Sequence, residues 1–168
     1  MMQWSQTNNQ SLLEVLLDAW DRNNAILVNL LRALPAGGLE ARALADSLSV
    51  AEMFKHIHYV RMVFLSEDAP AFAGHVPEQE FRDERDRDRL AAMLNESAKA
   101  VRDAVKSLVE KGREMKLHYD HPILFLQHMI WHEGYHQGQI KLALKATGRP
   151  LTNEEAGPIT WGVWMDKR

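Results

Sequence analysis

Leu12, Leu13, Leu16, Leu17, Trp20, Leu27, Leu30, Leu31 and Leu34 recur at intervals of three and four. That period lines one face of a helix. It predicts a first helix over about 11–34, ended by Pro35-Ala36-Gly37-Gly38. Ser49-Val50-Ala51-Glu52 has the form of a capping box, in which the serine hydroxyl accepts from the third helical amide and the glutamate reaches back. A second helix follows to about residue 67, with Met53, Phe54, Ile57, Val60, Val63 and Phe64 as its apolar surface. Leu90, Met93, Leu94, Val101, Val105, Leu108 and Val109 predict a third helix over 88–111, stopped by Gly112. A fourth starts with Asp120 as its cap and Pro122 in its first turn, and runs to 147, where Gly148 and Pro150 end it.

Between these elements, residues 39–48 have room for a short helical turn. Residues 68–87 form a long connection carrying Pro70, Gly74 and Pro77 and then an alternating charge run from Arg82 to Arg89. A connection of that length crosses the molecule or borders a site, and alternating charge suits a solvated face. The tail holds Trp161 and Trp164, which are expected to pack back on the bundle or on a second subunit. No run has strand periodicity and no repeat is present. The expected fold is all-α: a four-helix bundle with a long crossover connection between helices 2 and 3, in a single domain over 1–168.

Composition narrows the chemistry. The chain has 168 residues, 46% of them hydrophobic, enough for a real core. No apolar run reaches a membrane span and the first residues do not resemble a signal peptide, so a cytoplasmic protein without membrane contact is expected. Cysteine is absent, which removes disulfides, thiolate ligands and a thiol nucleophile of the protein's own. A net charge of −3 argues against a nucleic-acid surface.

The candidate chemistry lies in histidine. His132 and His136 are one helical turn apart and share a face, with His128 a further turn upstream. Two imidazoles so placed can hold two corners of a metal site. A bundle site draws its remaining ligands from a facing helix. His56, on the apolar side of the second helix with Met53, Val60 and Val63, is the choice for the third ligand. His58 points about 200° away from it by helix geometry and is expected at the surface or boundary. His128 is read as a core or supporting group rather than a fourth ligand. His75, His118 and His121 fall in loops or at a helix start and need no role. Gly134 and Gly138 inside the fourth helix each cost up to about 1 kcal/mol against alanine, which predicts close approach of another backbone or a bound group.

His132-Glu133-Gly134-Tyr135-His136 also matches the H-E-x-x-H pattern of zinc proteases, with Glu133 as base and Glu155 downstream as a third ligand. This reading ranks second. No strand is visible to bind an extended peptide, and Glu155 sits beyond Gly148 and Pro150 in an expected exposed turn. Glu133 is expected on the helix surface or behind the ligands.

Three stretches resemble the DinB/YfiT-like metalloenzyme family: 49–57 around His56, followed by Arg61; 128–140 around His132 and His136; and Leu144-Lys145-Ala146-Thr147-Gly148 with the tryptophan-bearing tail. The family commonly has arginine where this chain has Gln137. The resemblance implies a four-helix bundle with a three-histidine divalent site, often nickel or zinc, held here by His56, His132 and His136. It also implies a homodimer, and relatives that include thiol-dependent S-transferases and a thiol-dependent isomerase. An ion on three neutral imidazoles keeps its full charge and serves either hydrolysis or thiol activation. The expected function is therefore a divalent-metal-dependent enzyme acting on a small molecule. It would be a thiol-dependent S-transferase, with a low-molecular-weight thiol as co-substrate, or a hydrolase. The alternatives are the zinc metallohydrolase and a metal-stabilised binding protein without catalysis. No catalytic residue is assigned.

Overall fold

The computed structural model describes residues 6–80 and 84–167, with side chains from Leu12 onward. Arg82 and Asp83, at the start of the charge run, lie outside the described residues. Four long helices are present: α1 (Gln6–Arg32), α2 (Val50–Asp68), α3 (Arg87–Glu110) and α4 (Pro122–Ala146). Two short ones, α5 (Asn153–Ile159) and α6 (Trp161–Met165), complete the chain. No strand occurs among the described residues, so the all-α expectation holds. None of the described helices is long and apolar enough to cross a membrane.

The local signals explain most boundaries. Ser49 forms both halves of the capping box with Glu52. Its side chain is almost wholly buried at the point where α2 enters the core. Ser49→Ala should lower stability by about 1 kcal/mol, the usual worth of an N-cap, seen as a melting point about 2–4 °C lower for a chain of this size. The start of α4 differs from expectation. His121, not Asp120, is the cap, its Nδ1 accepting from the Ile123 amide at 3.1 Å. An imidazole with a lone pair on Nδ1 fills the same acceptor role as an aspartate oxygen. Gly112 and Gly148 take φ of +59° and +71° at the ends of α3 and α4, the left-handed conformation that lets the chain leave a helix. Residues 39–48 form turns, not a helix.

α1 and α2, adjacent in sequence, stand diagonally: their backbones do not approach each other and they meet only through side chains, while each packs on α3 and α4. The long 69–86 connection is the crossover that makes this arrangement reachable. The tail folds back on α1 rather than standing free. Arg22 donates through Nη1 to the carbonyls of Val163 and Asp166, and Asn29 donates to that of Ile159. Lys141 lies 5.4 Å over the Trp161 ring.

The apolar core divides into two clusters. One gathers Leu27, Leu31, Phe54, Ile57, Leu94 and Ile140; the other gathers Trp20, Leu65, Val101, Phe125 and Met129. Between them lies a polar layer. Arg61 is fully buried and donates from Nε and Nη2 to the two oxygens of Glu133, at 2.6 and 2.8 Å. Its Nη1 reaches Asn24 on α1 and the Leu94 carbonyl and Ser97 hydroxyl on α3. The guanidinium sits 4.7 Å from the Trp20 ring. Asn23 donates a second contact to Glu133 at 2.5 Å. One side chain of α2 therefore ties all four long helices together through directional bonds.

Candidate metal centre

The capped start of α2 and the packing of α4 against it decide where three imidazoles meet. His56 and His132 approach Nε2 to Nε2 at 3.2 Å, and His136 and His132 at 3.1 Å. One nitrogen from each of the three lies within 4.8 Å of the others. The cluster is sunk but reachable: His136 is buried, while His56 and His132 are half-buried. Among the described residues no other His, Asp or Glu joins the three as a candidate ligand.

The outer nitrogens fix the tautomers. His56 Nδ1 faces a carboxylate oxygen of Glu80, which can only accept, so that nitrogen carries a proton. His136 Nδ1 faces Oε1 of Gln139 at 2.7 Å, again an acceptor. Both rings therefore carry a proton on Nδ1 and turn Nε2 toward Nε2 of His132. His132 Nδ1 is buried with no partner in the protein. Burial, reinforced by His136 and His56, pushes the His132 pKa down to about 3. Burial and then His56 push His136 down to about 4, against the Gln139 contact, which raises it. Imidazole nitrogens gathered in this way, on rings that burial keeps from charging at His132 and His136, suit a divalent ion.

Spacing supplies a test of fit. Bonds of 2.0–2.1 Å place neighbouring nitrogens about 3.4 Å apart on a tetrahedron and about 2.9 Å apart on an octahedron. The observed 3.1 and 3.2 Å fall between these values. A cation between the rings would take a nitrogen from each of them.

The other singled-out residues separate clearly. His128 hydrogen-bonds through Nδ1 with the Tyr119 hydroxyl at 2.8 Å and stands outside the cluster. His58 is not at the surface: it is buried, with Nδ1 donating to the Met93 carbonyl at 2.9 Å. The face of α2 opposite His56 is covered by α3, so a 200° turn leads into a second interface instead of into water. His118 binds Asp68 at 2.8 Å, while the Asp68 carboxylate also accepts from the amides of residues 117 and 118, closing the loop before α4.

Glu133 is fully buried against Arg61 and Asn23, not on the helix surface. Both of its oxygens are committed there. Glu155 forms the capping box of α5 with Thr152. The pieces of a zinc-protease site are thus spent elsewhere, on core and cap. Gly134 and Gly138 are exposed, and a Cβ at either would meet nothing within 4 Å, so neither marks a close approach within this chain. Glu80 and Asn23 carry no expectation in the sequence, and Gln139 enters it only within the 128–140 resemblance. Gln139 sits three residues from His136, a helical-neighbour spacing that could have suggested it; Glu80 and Asn23 are 24 and 110 positions from their partners and left no local signal.

Comparison with curated proteins and with solved structures returns no match. Comparison with family descriptions returns the DinB family over residues 2–156. That span holds the three clustered histidines, the Arg61–Glu133 pair and the long crossover, and the all-helical architecture agrees with it; the chain belongs to the DinB family.

Proposed function

We propose that this protein is a divalent-metal-dependent enzyme acting on a small molecule, with His56, His132 and His136 as its metal ligands. The observation that carries the reading is the gathering of three imidazole nitrogens, two of the rings oriented by Glu80 and Gln139 behind them. Three protein ligands leave coordination positions for other groups, the pattern of catalytic rather than structural sites. His128 would be the ligand to close the site, and it is bound to Tyr119 instead. This favours an enzyme over a metal-stabilised binding protein.

Nickel or zinc suits three imidazoles. A divalent ion bound there supplies Lewis acidity, which serves hydrolysis or the activation of a thiol. Burial holds His132 and His136 neutral, and Glu80 and Gln139 aim His56 and His136. The Arg61–Glu133 pair fixes α4, and with it His132 and His136, relative to α2 and His56. Since the chain has no cysteine, a thiol would have to arrive as co-substrate. S-transfer of a low-molecular-weight thiol to an electrophile is the reaction proposed first, hydrolysis second.

The test is metal content by elemental analysis of untagged protein. About one transition metal per chain is expected in wild type and in Glu155→Ala, with His56→Ala and His136→Ala losing it. Metal kept in His56→Ala and lost in Glu155→Ala would restore the zinc-protease reading. Wild-type protein that takes up neither nickel nor zinc on reconstitution would remove the metal-enzyme proposal. Metal-loaded protein would then be screened with thiol and electrophile pairs.

A further inference from the structure

A cavity of about 590 Å³ opens beside the imidazole cluster, between α4 and the 43–48 turns. His136 belongs to both: its Nε2 faces the other two imidazoles and its ring forms part of the cavity wall. Met53, one turn before His56, forms another part. The remaining wall is mostly aliphatic, with Leu44, Leu48 and Leu142 among its residues. No lysine, arginine, aspartate or glutamate lines it. At the mouth, Leu44, Tyr135 and Leu142 remain more than half exposed. Apolar side chains left in water around a concave, uncharged wall mark a binding site, and the volume lies within the range of small-molecule pockets.

We infer that this cavity binds the uncharged, apolar body of the substrate, an alkyl or aryl group, and so presents the reacting end of that molecule to the metal side of His136. The inference rests on the metal-enzyme reading for the identity of the neighbouring centre. Its chemistry excludes an acid or a phosphate as the occupant, because a charge placed there would be desolvated with no partner. A thiol co-substrate carrying charged groups would have to approach from outside this cavity. The substrate class is thus a hydrophobic neutral molecule, with specificity set by Leu48, Leu142 and Met53.

The probe is N-phenyl-1-naphthylamine, an uncharged aryl dye that brightens in apolar surroundings. It is titrated into zinc-loaded and nickel-loaded protein, with octanoate as an anionic comparator. Saturable binding is expected, at least tenfold tighter than octanoate. Ala146→Trp, which fills the cavity from an exposed position on α4, and Leu142→Glu, which charges its mouth, should each weaken the dye tenfold or more and leave metal content unchanged. Nickel should quench the bound dye relative to zinc, because the cavity adjoins the centre. No dye binding to metal-replete wild type, or binding that both variants leave untouched, overturns the inference while the metal reading stands. Equal brightness with nickel and zinc overturns the adjacency. Failure to bind metal with dye binding intact overturns the metal reading alone and leaves the cavity as an apolar ligand site. A wild-type dimer that excludes the dye, and that Leu142→Glu converts to a monomer, would assign the cavity to a second copy and overturn the inference.

Discussion

Arg61→Met should destabilise the protein by about 3–5 kcal/mol, the usual result of stripping one member from a fully buried ion pair. A domain of this kind has only about 5–15 kcal/mol of stability in total. At about 2–4 °C per kcal/mol the melting point should fall by roughly 10 °C. The reason lies in what is left behind. Glu133 has no exposure and would retain only Asn23 as a partner. Asn24, the Leu94 carbonyl and Ser97 would also lose a donor. Arg61→Lys keeps the charge but cannot reach both oxygens of Glu133 and Asn24 at once, so it should fall between wild type and Arg61→Met. The double variant Arg61→Met/Glu133→Leu should be much more stable than either single one, since it removes both charges together. A double-mutant cycle by thermal and urea unfolding reads the coupling directly. A single-variant loss below about 1 kcal/mol would show that the guanidinium is not held in the core as the structure places it.

The same pair shows where sequence reading stops. The helices were legible because their signals are local: leucine spacing in α1, the Ser49–Glu52 box at α2, and Gly112 and Gly148 at the ends of α3 and α4. The placing of His56 near His132 and His136 was legible for a related reason. Helical period decides which residues share a face, and a bundle must turn apolar faces inward. Period alone says nothing about how many neighbours a helix has. His58, Arg61 and Glu133 are polar, and a single-helix view assigns such residues to water. α2 is covered on two sides, by α3 and by α4, and buries Lys55, His58 and Arg61 along with its apolar residues. The partners of His58 and Arg61 lie 33 to 72 positions away, at Met93 and Leu94 on α3 and Glu133 on α4. Contacts of that range have no local periodic signature. Glu80 is the clearest case: it lies in the long connection and reaches His56 only because the crossover passes that end of α2.

Metal-free protein given nickel or zinc at about a thousandfold excess over its dissociation constant should gain about 4 kcal/mol, because the ion binds the folded chain and not the unfolded one. That corresponds to a melting point roughly 8–16 °C higher, reversed by a chelator. The sign follows from geometry. Only the fold brings together Nε2 atoms that are four residues apart on α4 and more than seventy residues away on α2. His136→Ala and His56→Ala should abolish the rise, whereas His128→Ala should keep it, since that ring serves Tyr119. Glu80→Ala should give an intermediate result. Loss of an orienting partner behind a ligand commonly weakens metal binding 10–100-fold, which would remove about 1.4–2.7 kcal/mol of the gain. Differential scanning calorimetry of apo and loaded samples makes the measurement. A rise that persists in His136→Ala would place the ion elsewhere on the chain and end the three-imidazole assignment. A rise that survives in Glu80→Ala at full size would mean that the crossover does not orient His56, and that the ligand set is held by the packing of α2 on α4 alone.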